Sequence, residues 1–108
     1  MKDQILQFIK ERDHVSFIEL SNQIPGFAGD YEFYNLALEN VVLWNGVSKE
    51  AVDALKYLLS NSLIFVEEVE PLVYLHDGYL PTIPTATVAK SYKTTHWLPI
   101  VFSCKRPI

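Results

Sequence analysis

The chain contains residue types that metal binding and nucleophilic chemistry use, but their spacing matches no familiar site. The histidines are His14, His76 and His96, and Cys104 is the single cysteine. A metal site made of His76, His96 and Cys104, or a nucleophile formed by Cys104 and His96, lacks the close spacing typical of such sites. A lone cysteine is more often a small apolar filler, here beside Phe102. We therefore expect a non-enzymatic protein without catalytic residues, cofactor or metal.

The glycines and the clustered carboxylates do not match a known phosphate-binding or catalytic motif either. The four glycines fit neither a phosphate loop nor a dinucleotide fingerprint, so each is expected at a turn. Glu67, Glu68 and Glu70 alternate along a strand and turn. A catalytic pair of carboxyl groups needs a cleft that raises one pKa, which a hairpin tip rarely provides. An acidic edge that opposes strand-to-strand aggregation is the better interpretation.

One segment interleaves bases with aromatic residues: Lys90-Ser91-Tyr92-Lys93-Thr94-Thr95-His96-Trp97. Such a pattern can bind a nucleic-acid strand by charge and stacking. The same composition is ordinary for a loop that packs on an acidic domain. Trp97, like Trp44, also has an apolar setting in which burial is the usual outcome.

Length and charge place limits on the class of protein. The 108 residues, 49% of them apolar, suit one domain with a core. Residues 1–80 hold all 13 acids and five bases, whereas residues 81–108 hold four bases and no acid. We therefore expect a single domain in which a basic C-terminal extension, 81–108, packs on an acidic body, 1–80. Its positive charge either neutralises the acidic body or attracts an outside phosphate.

The sequence also indicates the cellular compartment in which the protein is expected. A single cysteine excludes an intramolecular disulfide, and the N-terminal residues lack the pattern of a secretion signal. The longest apolar runs are too short to span a bilayer. A cytoplasmic protein that does not bind membranes is expected.

The first half of the chain predicts two helices followed by an ambiguous segment. Apolar residues at helical spacing predict a helix over 2–12. Ser16 and Glu19 form a capping box that begins a second helix, which Pro25-Gly26 ends. Residues 26–39 fit either a short helix capped by Asp30 or an extended aromatic segment, and extended or irregular structure is favoured.

The second half of the chain predicts strands before and after one clearly amphipathic helix. A buried strand over 40–44 precedes a helix over 49–60, which Ser48 caps and Asn61 ends. Residues 63–69 and 72–74 are expected to form a hairpin that turns at Glu70-Pro71. Asp77-Gly78 predicts a further turn that returns 79–80 as a short strand, and residues 96–102 predict a last strand with Pro99 at an edge or bulge.

This order of elements resembles the winged-helix superfamily over about residues 2–76. The resemblance implies an α+β fold of about three helices, a β-hairpin wing and, in this chain, extra C-terminal strands, with residues 1–80 expected to form the winged-helix-like domain. It also implies that helix 49–60 occupies the place of the helix that enters the DNA major groove, and that residues 63–74 form the wing. The chain departs from the family by the long connection at 25–47 and by the acidic wing.

The resemblance and the charges lead to two hypotheses about function. The first is a small adaptor or regulatory module that acts through protein contacts, with a protein partner or a second copy of itself. Its candidate interaction surface consists of Tyr31, Phe33, Tyr34, Tyr92 and Trp97. The alternative is a DNA-binding transcriptional regulator that uses helix 49–60 or the basic segment 90–106. Its candidate nucleic-acid contacts are Lys49, Lys56, Lys90 and Lys93.

Overall fold

A computed structural model describes residues 1–79 and 82–106, which form an α+β fold of four helices and two small sheets. The elements are α1 (Lys2–Arg12), α2 (Phe17–Gln23), β1 (Ala28–Tyr34), β2 (Val41–Val47), α3 (Lys49–Ser60), β3 (Phe65–Glu68), α4 (Leu72–Leu75), β4 (His96–Trp97) and β5 (Ile100–Ser103). Within these residues no helix has the length and apolar character needed to cross a membrane.

Local capping signals explain where the helices begin and end. The Ser16 hydroxyl accepts a hydrogen bond from the Glu19 N–H, and the Glu19 carboxylate accepts one from the Ser16 N–H, so the predicted capping box is confirmed. Ser48 caps α3 as predicted. The end of α3 differs from the prediction, because Ser62, with φ 55°, takes the left-handed position expected of Asn61, whose φ is −96°.

The segment between α2 and α3 is an antiparallel hairpin of β1 and β2, so the preference for extended structure near Tyr31 is confirmed. The strand predicted over 40–44 is also present and continues to Val47. Gly29 lies against the backbone where β2 meets α3, since a Cβ added to it would stand 2.6 Å from the Ser48 Cα. A side chain at this position would therefore force the hairpin away from α3.

The hairpin predicted over 63–74 is wrong in its second strand. β3 is extended as expected, but its antiparallel partner is β5, in which Ser103 pairs with Phe65. Residues 72–75 form one helical turn after Pro71, because the fixed φ of proline suits the start of a helix as well as a turn. Asp77-Gly78 does form a turn, but Tyr79 is in no strand, and Leu80 lies outside the described residues.

The single strand predicted over 96–102 is instead divided at Leu98-Pro99. Proline lacks the N–H that a continuous ladder needs. Before it, β4 pairs in parallel with β2; after it, β5 pairs with β3 and, on its other side, forms a bridge to Val15. The C-terminal residues therefore supply one strand to each sheet, and Leu98-Pro99 joins the two strands.

Aromatic rings fill the space between these sheets and α2. The Phe17 ring stacks on Trp44 with centroids 5.6 Å apart and meets Phe102 edge-on at 5.1 Å. Tyr74 lies edge-on to Trp97 at 5.2 Å and is fully buried. The inward face of α3 adds Leu55 and its neighbours to the same core, with Ala51, Ala54 and Leu58 also buried.

Candidate functional site

Of the aromatic residues predicted to form an interaction surface, some are exposed in the structure and others are buried. Tyr31 and Tyr34 are 55% and 41% exposed. Phe33 and Trp97 are each only 2% exposed, so they do not supply the exposed rings that were expected. Phe33 is the one buried residue of β1, with its ring centroid 6.2 Å from that of Phe17, and the Trp97 indole N–H donates to a buried carbonyl of β2. The five predicted residues thus do not form one surface.

Tyr92, the fifth of these residues, is half-buried in contacts within the chain. Its ring stacks on His96 with centroids 3.9 Å apart, and the Lys90 ammonium lies 5.3 Å from the ring centroid. Its N–H donates to the Glu39 carbonyl and its own carbonyl accepts from the Asn40 side chain. These contacts hold the basic segment against the β1–β2 loop, and His96 covers one face of the Tyr92 ring on which a nucleic-acid base would stack.

The candidate nucleic-acid contacts are accessible but stand among acids. Lys49 and Lys56 are exposed on α3, two helical turns apart. Glu50 and Asp53 are exposed on the same helix, so the outer surface of α3 has no excess of positive charge. Lys90 and Lys93 are also exposed, in the loop before β4.

An apolar concave surface lies between the tip of the β1–β2 hairpin, the end of α3 and β3. This groove has a volume of about 190 Å³. Its lining residues are Phe33, Tyr34, Asn35, Leu36, Ala37, Leu43, Leu59 and Val66. Leu36 is 78% exposed, the highest value among the large apolar side chains of the described residues. Because exposed apolar side chains are grouped around this groove, it is a candidate interaction site.

The loop that carries Leu36 is held by hydrogen bonds. The Asn35 side-chain oxygen accepts from the N–H groups of Ala37 and Leu38 at 2.8 and 3.0 Å. Asn40, with φ 56°, adopts the left-handed conformation that returns the chain into β2. The loop therefore presents Leu36 to solvent in a defined place beside Tyr34.

A larger and more polar depression lies between the start of α1 and α3. It has a volume of about 520 Å³, and Asp3, Glu50 and Asp53 contribute carboxylates to its rim. Lys2 also lines it, with its ammonium 4.4 Å from the Tyr57 ring centroid. Long exposed side chains form most of this rim. It therefore offers a partner less apolar area to bury than the groove beside Leu36 does.

The residues considered for nucleophilic chemistry are not brought together. Cys104 follows β5 near the end of α1, whereas His96 stacks on Tyr92 beside the β1–β2 loop. Burial raises the pKa of the Cys104 thiol, which disfavours the reactive thiolate. Within residues 1–79 and 82–106, no group of three or more His, Cys, Asp and Glu side chains is placed to hold a metal ion.

One polar cluster joins the end of α1 to the β3–β5 sheet. The Ser103 hydroxyl donates to the Asp13 carboxylate at 2.7 Å, and His14 lies between Asp13 and Glu67, with its Nε2 3.1 Å from a Glu67 oxygen. Asp13 and His14 both have positive φ values, 56° and 51°. The cluster fixes this strained turn, in which two consecutive residues other than glycine have left-handed backbone conformations.

We expect the stability of this turn to decrease in acid. The hydrogen bond from Ser103 lowers the pKa of Asp13, so the folded state releases this proton more readily than the unfolded chain. The stabilisation is therefore present above the ordinary pKa near 3.8 and is lost as the pH falls below it. Urea unfolding from about pH 6 to about pH 3 should show a smaller decline in Ser103→Ala than in the wild type.

A matched control for this measurement is Ser60→Ala. The Ser60 hydroxyl donates to carbonyl groups of α3 and contacts no carboxylate in its hydrogen bonds. Its removal should leave the acid decline unchanged. An equal decline in the wild type and in Ser103→Ala would contradict the role given to Asp13.

Most of the residues that line the groove could not be identified from the sequence as part of an interaction surface. Leu36 and Val66 were not among the predicted surface residues, although Leu36 stands in a polar loop context between Asn35 and Asn40. An isolated leucine in a loop is a weak signal, because single exposed apolar residues are common. The signal becomes informative only when the fold places Leu36, Leu59 and Val66 around one depression.

Comparisons with protein-family models, with curated proteins and with solved structures found no match to this chain.

Proposed function

We propose that this protein is a small non-enzymatic adaptor or regulatory module that binds a partner protein on a winged-helix-like scaffold. The observation that carries the proposal is the apolar groove with Tyr34, Leu36 and Val66 exposed at its rim by 41%, 78% and 39%. Burying large apolar side chains against a partner is the main source of affinity at protein interfaces. The charged surface of α3 offers no comparable apolar area.

The order and pairing of the elements support the winged-helix-like scaffold. α1, the short extended segment at Val15, α2 and α3 precede β3, and β5 lies between Val15 and β3 in one sheet. In this proposal the β3–β5 pair takes the place of the wing. The hairpin β1–β2 is then an insertion between the second and third helices, and it supplies one wall of the groove.

The acidic residues of the proposed wing and of α3 argue against the DNA-binding alternative. Charge-reversal variants of the lysines would test it. The proposed wing carries Glu67 and Glu68, which would face phosphates, and α3 mixes Lys49 and Lys56 with acids. A DNA-binding regulator would bind duplex DNA in a salt-sensitive manner. Loss of that binding in the double variant Lys90→Glu/Lys93→Glu would assign it to the C-terminal segment, and loss in Lys49→Glu/Lys56→Glu would assign it to α3.

The adaptor proposal predicts that Leu36→Asp abolishes partner binding without unfolding the protein. A photo-crosslinking amino acid at position 36 should give a discrete protein adduct in cells. Excess unlabelled wild-type protein should suppress this adduct, and excess Leu36→Asp should not. With the partner so identified, Leu36→Asp should weaken binding by about 30-fold or more, the loss expected when an interface anchor is removed.

Two controls make this test specific. Leu72 is 57% exposed and lies outside the groove, so Leu72→Asp should leave partner affinity unchanged. A crosslinker at Glu50, in the polar depression, should not give the same adduct. Equal losses for both aspartate variants, or no competable adduct at position 36, would refute the groove as the binding surface.

A further inference from the structure

The strand β3 has a free edge within the described part of the chain. It pairs only with β5, and the Val69 N–H donates to the Pro99 carbonyl at 3.0 Å. In an antiparallel pair the backbone groups of alternate residues point toward the partner and away from it. Since Val69 points toward β5, the N–H and C=O groups of Val66 and Glu68 point outward, where another strand could bind them.

This free edge adjoins the groove. The Val66 side chain is on the same face of the sheet as that of its partner Phe102, which is fully buried, and it also lines the groove. Val66 therefore offers outward backbone groups and an apolar side chain at the same place. A strand added to β3 would direct alternate side chains over the groove toward Leu36.

The charge along the edge limits what can bind. Glu67, Glu68 and Glu70 are all exposed, and His14 approaches only the first of them. Glu68 and Glu70 have no cationic partner within 4.0 Å in the described residues. A second copy pairing through its own β3 would place glutamates near glutamates, which is destabilising. A strand carrying lysine or arginine would instead meet complementary charge.

We propose that β3 binds an extended segment of the partner protein by strand addition, and that apolar and basic residues alternate along the one face of that segment that lies over Val66 and Glu68. This inference rests on the proposed function and specifies the partner's chemistry. Backbone hydrogen bonds to Val66 and Glu68 supply the pairing, the groove receives an apolar side chain, and Glu68 and Glu70 select basic residues. Edge strands are a known route for such pairing.

The probe for this proposal is a seven-residue peptide with valine at position 4, lysine at positions 2 and 6 and threonine at the other positions, so that valine and lysine share one face. It is capped at both ends and labelled for fluorescence anisotropy. We expect it to bind at least tenfold more tightly than the same peptide with glutamate in place of lysine, and more weakly as salt increases. In amide NMR spectra, the N–H signals of Val66 and Glu68 should shift on binding. Equal affinity for the two peptides would overturn the basic preference.

Backbone methylation of the peptide tests strand pairing without altering the protein. Only alternate amides of an added strand face β3. N-methylation of one alternate set should therefore reduce affinity at least tenfold, whereas methylation of the other set should have a much smaller effect. Equal effects of the two sets would show that charge alone attracts the peptide and would overturn strand addition.

Protein variants separate this inference from the proposed function. Glu68→Pro removes an outward N–H and leaves the bonds to β5, so it should reduce binding of both the peptide and the identified partner at least tenfold with the fold intact. Leu36→Asp tests the groove itself. If Leu36→Asp weakens the partner while Glu68→Pro and the peptides have no effect, the groove proposal stands and strand addition is refuted.

Discussion

Replacing Leu55 by alanine should lower the free energy of unfolding by about 2–5 kcal/mol, the range found when a buried leucine is truncated. Leu55 is fully buried on the inward face of α3, which packs against α1 and β1. Truncation removes apolar contacts and leaves a cavity that the surrounding rings of the core cannot readily fill. Urea denaturation followed by circular dichroism measures the change.

The control for Leu55 is Leu72→Ala, the same substitution at a side chain that is 57% exposed. It should change the unfolding free energy by less than about 0.5 kcal/mol. A loss below that value for Leu55→Ala would show that the inward face of α3 is not in the core. The groove would then lose its support, because Leu59, which lines it, is on the same helix.

Replacing Tyr74 by phenylalanine should cost about 2–4 kcal/mol, although it removes a single oxygen atom. The Tyr74 hydroxyl donates to the Ile100 carbonyl at 2.5 Å and accepts from the Phe17 N–H at 3.2 Å. Tyr74 is fully buried, so the variant leaves a donor and an acceptor without partners away from water. Each such group costs about 1–3 kcal/mol. Thermal and urea unfolding would measure the loss.

The same residue should give the protein an alkaline limit. Burial raises the pKa of Tyr74, so the folded state keeps the hydroxyl proton that the unfolded chain releases above about pH 10. The stabilisation is present below that pH and is lost as the pH rises further. Tyr74→Phe should reduce this alkaline decline.

Tyr57→Phe serves as the control for both measurements, since Tyr57 is 46% exposed on α3. It should leave stability at neutral pH almost unchanged, because the ring that Lys2 approaches is retained. If Tyr74→Phe proves as mild as Tyr57→Phe, the hydroxyl of Tyr74 does not connect α2 to β5. The short helix α4 would then be held in the core by the packing of the Tyr74 ring against Trp44 and Trp97 rather than by this hydroxyl.

The helices could be predicted because their signals are local. The capping box of Ser16 and Glu19 and the cap at Ser48 depend on residues three positions apart. The apolar spacing of α3 likewise predicts which face is buried, and Leu55 is on that face. Such features depend on contacts within one helix, so they can be recognised without knowing how the rest of the chain folds.

The strand pairings could not be predicted because their partners are distant in sequence. β3 was given a neighbouring partner over 72–74, but its partner is β5. The extended character of β3 was visible in its residues, whereas the identity of its partner was not. Pro71 is equally suited to a hairpin turn and to the start of a helix, and only the buried place of Tyr74 between Phe17 and Ile100 decides for the helix.

By itself, the sequence determined the bounds of the main helices, the extended character of β2 and β3, and the contrast between an acidic body and a basic C-terminal segment. For β1 it favoured extended or irregular structure over a short helix. Only the tertiary structure decided that Phe33 and Trp97 are buried, that β5 joins β3 to Val15, and that Leu36 and Val66 border one groove. The reason is physical. Periodicity and capping arise from neighbours along the chain, whereas burial and surface shape arise from segments that folding brings together.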